Sequence, residues 1–493
     1  MPGSDLFLLP EKVLQFGTGV FIRGLIDYII DKSNNAGVFN GRVVAVKSTD
    51  TGNINDFFEQ DFLYTLIMRG VEGNEEREEI VVCSFLSRVL SAGRDWKEVL
   101  KVAYNPDLQI IISNTTEAGI TLLNNENIYG LPPSSYPGKL LRFLLERYKA
   151  FRGSKNKGMV IIPTELIPDN AIKLKSILNE LACQNHLNKD FILWMNESND
   201  FCNSLVDRIV PGKPSEKEQA AIEAKLGYED RLLVMSETFA LWAIESQNKT
   251  THDLLSFSEI HPRIFIVPNI DKFRELKLRL LNGSHNLSCA VAIIAGFQMV
   301  RDAMEDTSFN RFIWRLIQDE IASSIVSSTI SLEEAREFGA KVWERYCNPH
   351  IAFDWLDICV QDTSKIRIRA IPIVLQHYEK HGFVPDCICL SFSSYILFMK
   401  SKRVNGEYIG ILNGKEYRII DDYASLLFDK WNTMKGLTLV KSVLSDLRLW
   451  EEDLSNLKGF HEKVNFYLEN LLIYGFYSTF ELIENSTVNS RIK

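Results

Sequence analysis

The sequence predicts a chain in two parts, an α/β N-terminal domain built on a mostly parallel sheet over residues 1–270 and a mainly α-helical C-terminal domain over residues 271–493. Three observations predict it. Up to about residue 270, short β-rich runs alternate with stretches of helical period, which is the pattern of strands covered by crossover helices. A glycine turn, Gly17 and Gly19, stands between the first strand and the first helix. After Pro268 long amphipathic segments take over. The 493 residues also exceed what a single core usually supports.

The strands of the first part are KVLQFG, RVVAVKS, LQIIISNTT, GMVIIPTEL and RIFIVPNI, with GKLLRFLLERYKAF and NAIKLKSILNEL as helices between them. In a Rossmann-like turn the first glycine permits a tight bend. The second lets the backbone approach a pyrophosphate resting on the helix N-terminus. Gly17, Gly19, Phe21 and Arg23 occupy that place, but Ile22 stands where a third small residue is usual, so an ordinary strand-to-helix turn would also account for the glycines. The second strand ends in Lys47, with Asp50 three residues later. An acid there binds the ribose hydroxyls of NAD and a cation attracts the 2′-phosphate of NADP, so these residues leave the cofactor open. Ser113, Asn114, Thr115, Thr116 and Glu117 follow the strand LQIII, and Glu165 follows GMVIIPT. Ligands of open α/β sheets bind beyond the carboxyl ends of strands, so these positions are candidate cofactor and substrate contacts.

In the second part, SFNRFIWRLIQDEIASSIV, SKIRIRAIPIVLQHYEKHG and HEKVNFYLENLLIYGF read as helices. Ser331 and Glu334 form a capping box, and Asn413–Gly414 reads as a type I′ hairpin turn. The segment DKFRELKLRLLNGSHNLSCAVA places Lys277, Asn282 and His285 on one helix. A lysine, a carboxamide and an imidazole are suited to move a proton and to hold a reacting oxygen. On an α-helix, Asn282 lies about 140° and His285 about 80° around the axis from Lys277, one broad face.

A net charge of −9 and a pI near 5.6 argue against a nucleic-acid or anionic-membrane surface as the main partner. The start lacks a basic region followed by a long apolar run, and the longest apolar segment, CAVAIIAGF, is too short to span a bilayer. Eight scattered cysteines lack the spacing of a zinc site or the density of a disulfide scaffold, as expected for reduced thiols in a cytoplasmic protein. The sequon at Asn248 is then chance.

Taken together, Gly17, Gly19, Phe21 and Arg23 in GxGxFxR and Lys277, Asn282 and His285 in KxxxxNxxH resemble the polyol-specific long-chain dehydrogenases, the mannitol dehydrogenase family. The resemblance extends over nearly the whole chain, through QFGTGVFIRG, SNTTEAGI, IIPTELI, FCNSLVDRIVPG, LNGSH and RYCNPHI. It implies a Rossmann-like domain followed by a helical domain. It further implies NAD-dependent, metal-independent hydride transfer at a secondary alcohol, in its hexuronate branch between D-tagaturonate and D-altronate. Lys277 is then the acid/base, Asn282 holds the substrate oxygen and His285 binds neighbouring hydroxyls. Gly17, Gly19, Phe21, Arg23, Asn114 and Thr115 are the expected cofactor contacts; Glu165, Asp207, Arg345 and Lys365 are the expected substrate contacts. Glu165 stands where the mannitol enzymes carry an asparagine, and a carboxylate cannot donate in its place. Arg367 and Arg369 join Lys365 as candidates for a substrate carboxylate. Fructuronate or a neutral polyol is the alternative substrate, and a nucleotide-sensing protein without turnover is the alternative of another class.

Overall fold

The computed structural model describes residues 3–49, 54–73, 75–115, 119–412 and 414–491. Asp50, Thr116, Glu117 and Asn413, singled out above, lie outside the described residues. The chain divides into two compact units, Met1–Arg69 with Glu76–Asp271, and Gly70–Glu75 with Lys272–Lys493.

The first unit is organised by a six-stranded parallel sheet. Its strands are β1 (Glu11–Phe16), β2 (Arg42–Lys47), β3 (Leu86–Ser91), β4 (Ile110–Ser113), β5 (Val160–Pro163) and β6 (Asp200–Phe201), in the spatial order β3-β2-β1-β4-β5-β6. The strands are apolar throughout because both faces are covered. Val13, Val43, Ile110 and Ile162 face one core, shared with Ile26, Ile29 and Ile30 of helix α2 (Ile26–Asn35), which follows the short helix α1 (Val20–Gly24). Their neighbours Leu14, Val44, Ile111 and Ile161 face the other core. That core is closed by Leu140, Leu141 and Leu144 of α3 (Tyr136–Ala150) and by Leu174, Leu178 and Leu181 of α4 (Asn170–Gln184). Helix α3 starts where the Ser135 hydroxyl accepts from Gly138 N and Pro137 occupies the first turn. Strand order reverses between β1 and β4, so the ligand crevice of this fold opens beyond Phe16 and Ser113.

One expected strand lies elsewhere. Ile264–Val267, from RIFIVPNI, pairs parallel with Leu241–Glu245 and not with the large sheet; Leu241–Glu245 in turn pairs antiparallel with Ser204–Asp207.

The second unit is mainly helical around one large apolar core. It includes α5 (Asp271–Leu276), a π-helical segment (Lys277–Gly283), α6 (Ser284–Ala295), α7 (Leu332–Tyr346), α8 (Asp362–Arg369), α9 (Asp386–Phe398) and α10 (Phe460–Arg491). Residues Cys387–Phe398 of α9 are all buried, as its apolar surface on every side requires. The capping box of α7 forms, with Glu334 N donating to Ser331 Oγ at 3.1 Å and Ser331 N to Glu334 Oε2 at 3.0 Å. Three expected helices are interrupted. Thr307–Arg315 passes into π geometry over Leu316–Ile321, SKIRIRAIP divides into α8 and Ile371–His381 with Pro372 in its first turn, and Gly475 (φ 73°) breaks α10. The hairpin strands Glu407–Leu412 and Lys415–Ile419 pair antiparallel with Gly414 at φ +76°, and Ser401–Val404 adds a third strand. All eight cysteines are free: six are buried, Cys347 is partly covered and Cys183 is exposed.

Candidate active site

The turn after β1 and the turn after β4 are locked together by their backbones. Gly17 has φ +133°, and a Cβ added there would stand 2.7 Å from the Asn114 carbonyl oxygen. Gly17 N donates to Val46 O at 3.0 Å, and Asn114 N to Phe16 O at 2.9 Å. Gly19, by contrast, caps α1 with nothing within 4 Å of a would-be Cβ. The side on which a side chain would stand is therefore open at Gly19 and filled by the Asn114 backbone at Gly17. A pyrophosphate fits this cradle, since small residues and the first N–H groups of α1 meet at the strand-order switch. Beneath it, Gln15 Nε2 donates to Gly17 O at 3.0 Å and to Asp27 Oδ2 at 3.3 Å. Complete burial raises the Asp27 carboxyl well above the usual carboxylate range, against the lowering effect of the Gln15 hydrogen bond.

Two positions expected to touch ligand are bonded within the protein. Arg23 is buried, and its guanidinium donates to the carbonyls of Leu232 and Thr18 while lying over the rings of Tyr64 and Phe57. It pins the turn from behind, and the half-buried Phe21 packs on the same core. Glu165 is 3% exposed. It accepts from Thr115 N and Thr115 Oγ1 at 2.8 Å each and from Ser113 Oγ at 3.1 Å. These bonds occupy both carboxylate oxygens, so Glu165 braces the Ser113–Thr115 turn, with Asn114 Nδ2 fixed to Thr164 Oγ1 at 3.0 Å.

The second unit holds the lysine, asparagine and histidine, and their segment departs from the expected α-helix. Lys277–Gly283 is π-helical, bonded i to i+5. Lys277 and Asn282 are five apart, so the wider π turn draws toward one face two side chains that an α-helix would hold about 140° apart. All three groups are half-buried, while Arg279, Leu280, Leu281, Gly283, Ser284 and Asn286 around them are buried. The Arg279 guanidinium holds the segment against α8, donating to the carbonyls of Ile368 at 2.6 Å and Arg369 at 3.0 Å. His285 Nδ1 lies 2.9 Å from the Leu281 carbonyl, which can only accept; that nitrogen carries a proton, which in the neutral form of the ring leaves Nε2 as the acceptor. The ring stacks on Tyr346 at 4.4 Å and 18°, and Tyr346 Oη is 3.0 Å from Ser284 Oγ.

The remaining expected substrate residues fall within their own units. Asp207 ends Ser204–Asp207 in the first unit, 5% exposed. In the second, the buried Arg345 precedes the Tyr346 that packs on His285. Lys365 donates to Ile358 O at 3.0 Å, and Arg367 pairs with Glu451 at 3.1 Å and Tyr423 Oη at 3.1 Å. Arg369 Nη1 donates to Asn286 Oδ1 at 2.8 Å. Sequence reasoning did not find Tyr346, Asn286 or Asp362. Asn286 alone carried a signal, standing one α-turn beyond Asn282. Among the described residues no helix is long and apolar enough to cross a membrane.

Comparison with known proteins gives the class. Residues 11–255 match the mannitol dehydrogenase Rossmann domain and residues 269–472 the mannitol dehydrogenase C-terminal domain. The chain belongs to the mannitol dehydrogenase family and is an oxidoreductase acting on CH–OH groups. More particularly, it is 36% identical over 467 residues to an altronate oxidoreductase of Bacillus subtilis, covering 94% of this chain and 93% of the relative. It is 33% identical over 482 residues to one of Escherichia coli, covering 96% of each. Two solved structures share the fold at 19% identity. A D-sorbitol dehydrogenase has a TM-score of 0.76 over 97% of this chain and 96% of its own. The Pseudomonas fluorescens mannitol 2-dehydrogenase, a ternary complex with NAD and D-mannitol, has 0.66 over 97% and 95%.

Proposed function

We propose that this enzyme interconverts D-tagaturonate and D-altronate with NAD(H) in the cytoplasm, using Lys277 as acid/base. The observation that supports the reading is that Lys277 and Asn282 share one π-helical segment with His285 just beyond it at the start of α6, all three half-buried. The near full-length similarity to altronate oxidoreductases supports the substrate. NADH, when bound at Gly17, Gly19, Asn114 and Thr115, supplies the hydride that adds to the ketone carbon. As the carbonyl is reduced, charge builds on its oxygen, and the Lys277 ammonium gives that oxygen its proton while the Asn282 amide N–H donates to it. His285 Nε2 accepts from a neighbouring hydroxyl, which orients the chain of the sugar acid. In the oxidative direction Lys277 starts neutral and takes the proton from the alcohol. Glu165 keeps the Ser113–Thr115 turn in shape, and Arg345 and Asp207 are assigned to substrate hydroxyls.

Lys47 favours NAD over NADP. Lys47 is 9% exposed and its ammonium donates to the Thr49 carbonyl, whereas a cation that reads a 2′-phosphate has to be open to it. The test is a panel of tagaturonate, fructuronate and fructose, each with NADH and with NADPH. Tagaturonate with NADH should give the highest kcat/KM. A preference for fructose would remove the sugar-acid reading, and a preference for NADPH would remove the assignment of Lys47.

A further inference from the structure

The polar groups of the catalytic segment continue into α6 and end at a cation. Asn286, in α6, stands four residues beyond Asn282 of the π segment, about 6 Å along the axis. Its amide is oriented from both ends. Nδ2 donates to Asp362 Oδ1 at 2.6 Å, and Oδ1 accepts from Arg369 Nη1 at 2.8 Å, so the amide cannot rotate without losing both bonds. The backbone of Arg369 is fixed to the same place. Its carbonyl accepts from Arg279 in the π segment and lies 3.5 Å from where a Cβ on Gly283 would be.

The other cations nearby are differently engaged. Arg279 pairs with Glu275, Arg367 with Glu451, and the Lys365 ammonium is given to a main-chain carbonyl. Arg369 is half-buried, and among the described residues its guanidinium has the single bond to Asn286 and no carboxylate within ion-pair distance. A partly desolvated guanidinium with a neutral partner has fork donors left for a planar anion. Asp362, completely buried behind Asn286, is raised to about 7 by its burial, which weakens it as a competing counter-charge.

We propose that Arg369 is the specificity-determining residue that reads the substrate's carboxylate, with Asn286 and Asp362 as the residues that position it. The inference rests on the sugar-acid reading above. A ketone held at Lys277 and Asn282 then has its carboxylate one helical turn away, a span comparable with the three hydroxylated carbons between them.

The test uses D-tagaturonate and D-tagatose, which differ only by a carboxylate in place of a terminal CH₂OH. With NADH as reductant, wild type should prefer the acid. In Arg369→Gln the ratio of kcat/KM for tagaturonate to that for tagatose should fall roughly ten- to a hundredfold, mainly through KM. Arg369→Lys should keep part of the ratio, and Asn286→Ala should lower it severalfold while NADH binding, followed by fluorescence, is retained. Residual tagatose reduction and an unchanged thermal midpoint report that the variants are folded. A ratio in Arg369→Gln within twofold of wild type, even with both rates reduced, overturns the assignment and leaves the sugar-acid reading standing. A wild-type enzyme that prefers tagatose overturns both.

Discussion

Lys277 illustrates how a side chain acquires a role from its backbone. Alone it is a half-buried lysine among buried neighbours, but the i to i+5 bonding of its segment turns it toward the face that carries Asn282. Replacing it by alanine removes the proton and leaves the glycine cradle of the other unit untouched. Lys277→Ala should lower kcat by roughly a factor of 10² to 10⁴, with NADH affinity within twofold of wild type by fluorescence titration. Near-wild-type turnover would mean that another group moves the proton. Arg23 shows the reverse case. The motif GxGxFxR makes it an expected cofactor contact, and its guanidinium also satisfies two carbonyls in the core, which holds the turn in shape.

At the scale of elements, the turn after β1 sets a sharp contrast between two glycines. Gly17→Ala forces a side chain at φ +133° against the Asn114 carbonyl, a strain of about 1–3 kcal/mol. It should lower both the thermal midpoint and NADH affinity. Gly19→Ala meets only open space in the protein, so its midpoint should stay within experimental error while NADH binding weakens. Equal loss of stability in both variants would mean that the two turns are not locked as described. This part of the fold was legible in the sequence because it rests on local rules. Apolar runs such as LQIII, the glycines, and Ser331 with Glu334 each solve a problem within a few residues, and each lies where its pattern indicated. What the sequence withheld depends on packing at long range. The π segment of Lys277–Gly283 has the same residue types as an α-helix, and its bonding is sustained by Arg279 reaching α8 about 90 residues on. The same holds for Glu165: its separation from Thr115 gave no hint that a carboxylate at one strand end would brace the turn after another.

For the whole molecule, buried ionisable groups give the stability a pH dependence made of opposed parts. Burial raises Glu320 and Asp362 to about 7, although Glu320 accepts the first N–H groups of α9 from Cys387 and Ile388. Folded chain therefore holds protons on these groups that unfolded chain has released, and their contribution is present below about pH 4 and declines as pH rises through 7. His377 works the other way. Burial and His381 lower it to about 4, so its contribution is present above the ordinary histidine value and is lost as pH falls through the acid range. Asp362→Asn removes one descending part. The thermal midpoint at pH 7.5, relative to that at pH 5, should then rise by several degrees over the same difference in wild type; an unchanged difference would show that Asp362 ionises freely in the folded state.

The free cysteines have a practical consequence. Burial raises the thiols of Cys83, Cys202, Cys289, Cys359, Cys387 and Cys389, so they are both shielded and weakly nucleophilic, whereas Cys183 stands exposed on α4. An alkylating reagent should therefore tag native protein quickly once, at Cys183, and reach the rest only as their surroundings open. Because Cys83 and Cys202 belong to one unit and the other five to its companion, peptide mapping of the late tags times the unfolding of each unit without any introduced probe.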